Sequence, residues 1–65
     1  MEFENAESPV DPPRFAAGTS VTVIATGQQG TVVYNARRDG AWLPMVDQPH
    51  SHGILRRHYQ ELELR

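Results

Sequence analysis

Between Gly18 and Tyr34 the chain reads GTSVTVIATGQQGTVVY, two β-branched runs separated by a glycine-bounded polar stretch. Branching at Cβ suits a pleated, extended backbone better than a helix. Val21 and Val23 fall on one face of the first run, and Ser20, Thr22 and Ile24 fall on the other, so the alternation is clean until it blurs at Ile24. Gly27 and Gly30 bracket Gln28-Gln29 and allow the positive φ that a tight reversal or bulge needs. The pattern predicts a β-hairpin with strands near 21–26 and 31–34.

Asp39-Gly40 is a hairpin signal and precedes a third apolar run, Ala41 to Val46. Residues 35–40 are then expected to form the connecting loop. Pro44 has no N–H to donate, which points to an edge position, a bulge or a break in that strand. Trp42, Leu43 and Val46 are expected to supply much of the remaining apolar burial. Residues 47–53, DQPHSHG, read as a second loop, and Ile54 to Arg56 as a short fourth strand. Residues 57–60 are expected to make a single 3-10 turn. Residues 61–65, ELELR, alternate strictly and predict a fifth strand with Leu62 and Leu64 on one face. A C-terminal helix over residues 54–64 fits the apolar spacing only in part. Residues 1–13 hold three prolines and few apolar groups and predict a disordered acidic tail. Phe15 is the first residue expected to be anchored. The fold expected is therefore all-β, with a five-stranded barrel over residues 14–65 behind the tail.

The anchors Phe15, Gly18, Val21 and Val23, then Gly30-Thr31-Val32, then Leu43 to Val46, then YQELEL from Tyr59 to Leu64, resemble the SH3-like small barrels grouped as electron-transport accessory proteins. The pattern G-x-x-V-x-V followed by G-x-V is also similar to KOW-type barrels. In layout the chain looks most like the plasmid-borne type II dihydrofolate reductases, which share a disordered N-terminal tail and an F-x-x-G-x-x-V opening. That resemblance would imply a tetramer with an active site in a central pore. However, the family's V-Q-I-Y run is replaced here by Ile54-Leu55-Arg56-Arg57, so no catalytic residue carries over.

Sixty-five residues form one domain at most, with a small core and little stability margin. No cysteine is present, so disulfides and thiolate metal sites are excluded. No apolar run approaches the roughly 20 residues that span a bilayer, and the N-terminus lacks a signal-peptide pattern; a cytoplasmic location is expected. The net charge is -2, which argues against a general nucleic-acid binder. Residues 1–14 hold four acidic groups against Arg14, whereas residues 35–58 hold four Arg against two Asp. The opposed charges make a fold-back of the tail onto the body a hypothesis.

The charged and aromatic candidates all follow the first hairpin, which carries no charge from Gly18 to Tyr34. Arg37, Arg38, Arg56 and Arg57, extended by His58, are the expected contacts for an acidic protein or a phosphate, as one basic patch. Trp42 joins them as an aromatic contact, its competing assignment being core. His50 and His52, with His58 as a third, are weaker candidates for metal ligands because no carboxylate or thiolate cluster accompanies them; neither a metal nor a cofactor is expected. Serine, glycine and carboxylate contexts match no catalytic motif. The function expected is a non-catalytic interaction module, an accessory subunit or adaptor that binds another protein or itself. The alternatives are a KOW-like nucleic-acid-associated domain using the Arg patch and an oligomeric reductase.

Overall fold

The computed structural model describes residues 11–65. Among the described residues, four antiparallel strands form one sheet in sequential order: β1 (Ser20–Thr22), β2 (Gln29–Arg38), β3 (Ala41–His50) and β4 (Gly53–His58). A 3-10 turn, Glu61–Glu63, follows. Most of the tail expected at residues 1–13 lies outside the described residues; Asp11 to Pro13 belong to no helix or strand.

The strands run longer than the apolar pattern implies because their turns are minimal. Asp39 (φ 50°) and Gly40 (φ 79°) reverse the chain alone. Successive positive φ values match the right-handed twist of the flanking strands, so β2 and β3 pair right up to the turn, at Arg38 and Ala41. The loop expected at residues 35–40 is thus mostly strand. Ser51-His52 is the other two-residue reversal, and it leaves residues 47–50 in β3 and extends β4 through His58.

The first hairpin is shorter than expected. Ladder pairing of β1 covers only Ser20, Val21 and Thr22, and Ile24 to Thr26 form the turn, closed by Thr26 and Gly27 amides donating to the Val23 carbonyl at 3.2 and 2.7 Å. The alternation blurs at Ile24 because that side chain has left the strand and is exposed. Gly27 supplies the positive φ (77°). Gly30 does not: it lies in β2, where an added Cβ would fall 2.6 Å from Val46 Cγ1 and 2.7 Å from the Asp47 carbonyl oxygen. It is a glycine of close strand approach.

The core is Val21, Val23, Val32, Val46, Tyr59 and Leu64, with Phe15 packed against it. Along β3 the alternate residues Pro44, Val46 and Gln48 are buried. Trp42 and Leu43 are only half-buried, so of the three residues expected to fill this strand's share of the core, Val46 alone does. Tyr59 replaces them, and its hydroxyl donates to Gln48 Oε1 at 2.9 Å. Gln48 in turn donates to Gln28 Oε1 at 3.2 Å, which satisfies an amide that is fully buried.

Pro44 sits in an interior strand without a broken ladder. In an antiparallel strand the N and O of one residue point to the same neighbour. The Pro44 carbonyl accepts from the Tyr59 amide at 3.0 Å, so its missing N–H faces the place where β4 has just ended. A register shift between Val32 and Tyr34 lies on the opposite side.

Residues 61–65 differ from the fifth strand expected. Gln60 and Glu63 form a capping box, with the Gln60 amide donating to Glu63 Oε2 at 3.0 Å, and this closes a 3-10 turn instead. Leu62 is left 73% exposed while Leu64 is fully buried, so the two leucines do not share a face. Leu64 makes an isolated antiparallel bridge with Val23. Thr22 and Arg65 exchange both main-chain bonds, at 2.8 and 3.0 Å, and the Ile24 amide donates to the Glu63 carbonyl at 2.9 Å. The end of the chain therefore runs along the edge of β1 that β2 does not use. No described helix is long and apolar enough to cross a membrane.

Candidate functional site

The Asp39-Gly40 turn fixes the register that places Arg37 opposite Trp42. Trp42 belongs to the inward-facing set of β3, with Pro44, Val46 and Gln48, but it lies one position beyond the covered core. Its ring is therefore half-exposed, and the Arg37 guanidinium stacks on it, 4.7 Å from the ring centroid. Such a contact contributes roughly 0.5–1 kcal/mol where it is solvated.

The 3-10 turn supplies the facing wall. Between it and the end of the β2–β3 hairpin lies an open groove of about 1360 Å³, with Arg37, Arg38, Trp42 and Leu43 on one side and Gln60, Glu61 and Leu62 on the other. The segment Asp11 to Arg14 enters this groove. Two main-chain bonds hold it: the Trp42 indole Nε1–H donates to the Asp11 carbonyl at 2.8 Å, and the Arg14 amide donates to Glu61 Oε2 at 2.6 Å. Next along, the Arg14 guanidinium lies over the Phe15 ring at 5.0 Å, and Asn35 Nδ2 donates to the Phe15 carbonyl at 2.8 Å. Asn35 Oδ1 is buried without a partner among the described residues.

The sheet separates the four central arginines. Arg37 pairs with Trp42 and Arg38 with Ala41, whereas Arg56 pairs with Asp47 and Arg57 with Val46. Five positions of β3 between Trp42 and Asp47 amount to about 16 Å. Arg56 is also engaged: Nε and Nη2 donate to the two Asp47 carboxylate oxygens at 2.6 and 3.0 Å. The hydrogen bond from Arg56 holds the Asp47 carboxyl below its ordinary range, against the opposing effect of burial and with a lesser contribution from the attraction of the cation. The same bond and the Asp47 charge raise Arg56. His58 pairs with Met45 and meets the Tyr34 ring edge-on at 6.3 Å.

His50 pairs with Gly53 at the far end of β3, and His52 is in the turn between them. His58 is five β3 positions away, about 16 Å along the strand, so the three histidines do not converge. Among the described residues no group of three His, Asp or Glu side chains is arranged to hold a metal.

Of the residues singled out in the sequence, Trp42, Arg37 and Arg38 share the groove; Arg56, Arg57 and His58 lie outside it. Glu61, Leu62 and the Asp11–Arg14 segment are functional candidates that strand patterning passed over. Their signals are present as Gln60-Glu61-Leu62-Glu63, a capping-box spacing, and as Pro12-Pro13. No described protein family, curated protein or solved structure matches this chain.

Proposed function

We propose that this chain is a small non-catalytic interaction module, an accessory subunit or adaptor that binds another protein through the groove at the Trp42 end of the sheet. One observation carries the reading: the Trp42 indole N–H and the Glu61 carboxylate both hold main-chain groups of the Asp11–Arg14 segment, which belongs to no helix or strand. Binding of backbone by fixed side chains is what a peptide-recognition groove does, and it requires no reactive group. Exposed Leu62 on the rim adds apolar contact area. Half-buried tryptophan stacked with arginine is also the residue chemistry in which interface energy concentrates.

As architecture, we read the sheet as an SH3-like small barrel. The support is the return of residues 63–65 to the free edge of β1, preceded by a 3-10 turn. The nucleic-acid reading has less to draw on, because the arginines are divided along β3 and Arg56 is paired with Asp47.

The test is affinity capture with the immobilised full chain, followed by calorimetry on the purified partner. Trp42→Ala and Leu62→Ser, each checked for an unchanged melting transition, are expected to weaken binding. The Trp42 change is expected to do so by roughly thirtyfold, the scale of an aromatic hot spot. A partner that binds both variants as tightly as the unaltered chain would overturn the reading.

A further inference from the structure

The segment seated in the groove is chemically unusual. Asp11 precedes Pro12-Pro13, and the residue before a proline is driven to extended or PPII backbone. Both prolines hold φ near −65° and carry no N–H. The segment therefore has carbonyl acceptors that no local secondary structure consumes. Indole N–H is a donor only, and here it takes one of those carbonyls, that of Asp11, at 2.8 Å. Glu61 takes the Arg14 amide at 2.6 Å, a charge-assisted bond.

The two anchors hold main-chain groups at either end of the Pro12-Pro13 pair. The docking is shallow. Asp11, Pro12 and Arg14 remain exposed, Pro13 is half-buried, and the groove stays open beside them.

We infer that the groove is a receptor for a proline-bearing main chain, that Asp11–Arg14 is its internal occupant, and that a partner's Pro-Pro segment presenting a carbonyl before the prolines and an amide after them displaces it. This rests on the groove being the partner-binding surface. The prolines serve the affinity by stiffening the ligand before it binds, so little conformational freedom is lost on docking. The internal segment sets a threshold: an external ligand meets only the fraction of molecules whose groove is open, and a segment docked nine-tenths of the time lowers apparent affinity about tenfold.

The probe is a fluorescein-labelled synthetic peptide with the sequence of residues 8–16, titrated into the full chain and followed by anisotropy. Trp42, the sole tryptophan, reports from the protein side through its emission. The full chain carrying Pro12→Gly and Pro13→Gly is expected to bind the peptide saturably and about tenfold more tightly than the unaltered chain. Trp42→Phe, which keeps the ring and removes the N–H, is expected to weaken the peptide several-fold in that background. A peptide with glycine at both proline positions is expected to bind far less. The inference is overturned if neither form of the chain binds the peptide, or if the glycine peptide binds equally well. It is also overturned if sedimentation shows the unaltered chain as a dimer that Trp42→Phe dissociates, because the occupant is then a second copy. A captured partner that depends on Trp42 but is not displaced by excess peptide sinks this inference alone. A partner indifferent to Trp42 and Leu62 sinks the broader reading, and the titration still decides this one.

Discussion

At the scale of single residues, the glycines separate two roles that look alike in the sequence. Gly27 and Gly30 both bracket a polar pair, yet only Gly27 has positive φ. Nothing lies within 4 Å of a Cβ built on Gly27, so Gly27→Ala carries a backbone penalty of roughly 1–2 kcal/mol, that of one left-handed residue. Gly30→Ala instead drives a methyl to 2.6 Å from Val46 Cγ1 and 2.7 Å from the Asp47 main-chain oxygen. The Val46 side chain is fully buried and the oxygen belongs to a central strand, so neither yields easily. We expect Gly30→Ala to cost about 1–3 kcal/mol, the usual range for overpacking. Urea denaturation of the two variants checks this. If Gly30→Ala proves as stable as the unaltered chain, the close approach of β2 and β3 at that point is wrong. In a domain this small, the upper end of that range is a large part of total stability.

At the scale of elements, what was legible in the chain was strand identity, and what was not was strand length. Cβ branching and the Asp39-Gly40 signal are local properties, and they placed the hairpins. Asn35 to Arg38 and Asp47 to His50 are polar, so they read as loops. They are strand because two-residue turns force pairing to continue; outward side chains on a sheet are free to be polar, and the inward Gln48 and Asn35 are hydrogen-bonded to Tyr59 and Gln28 and to the Phe15 carbonyl. Leu62 misled for the opposite reason: alternation over a few residues also fits a capped 3-10 turn, and the Gln60–Glu63 reciprocal bonds decided the matter. Trp42 and the arginine at 37 were legible as chemistry. Their convergence with Glu61 depends on contacts between residues far apart in the chain, which no local pattern encodes. The β3–β4 pair carries a prediction of its own. Asp47 and Arg56 face each other, and the Arg56 hydrogen bond lowers the Asp47 carboxyl. A carboxyl lowered by folding adds stability that is complete above its unfolded value of about 3.9 and is lost as pH falls through the lower folded value. Melting temperatures of the unaltered chain and Asp47→Asn should thus differ by a constant, small amount at neutral pH and converge below about pH 4. A gap that persists unchanged in strong acid would show that the difference does not come from this ion pair.

At the scale of the whole molecule, stability depends on joining β1 to residues 63–65. Leu64 is fully buried among Val21, Val23, Val32, Val46 and Tyr59, so one of the last two residues completes the core. Its neighbours close the circuit: the Thr22 amide donates to the Arg65 carbonyl at 2.8 Å, and the Ile24 amide to the Glu63 carbonyl at 2.9 Å. These contacts join residues some forty positions apart, so nothing local holds them, and their loop-closure cost falls on the whole fold. Two consequences differ in what they measure. Leu64→Ala removes a buried side chain and is expected to cost about 2–5 kcal/mol, which brings so small a domain close to its unfolding threshold. Hydrogen exchange gives the sharper view. If residues 63–65 form a true seam, the Thr22 and Ile24 amides exchange only by opening as slow as that of the β2–β3 ladder, at Ala36 opposite Leu43 for example. Should they exchange orders of magnitude faster while Ala36 stays protected, the C-terminus frays independently and the sheet is open at β1. The same seam positions the 3-10 turn, because Glu61 and Leu62 immediately precede it. Loosening it should therefore weaken the grip of Glu61 on the Arg14 amide. Leu64→Val, a milder truncation of the same side chain, is expected to speed exchange at Arg14 along with Thr22, though the two residues are not in contact. Acceleration at Thr22 alone would show that the groove wall stands without the seam.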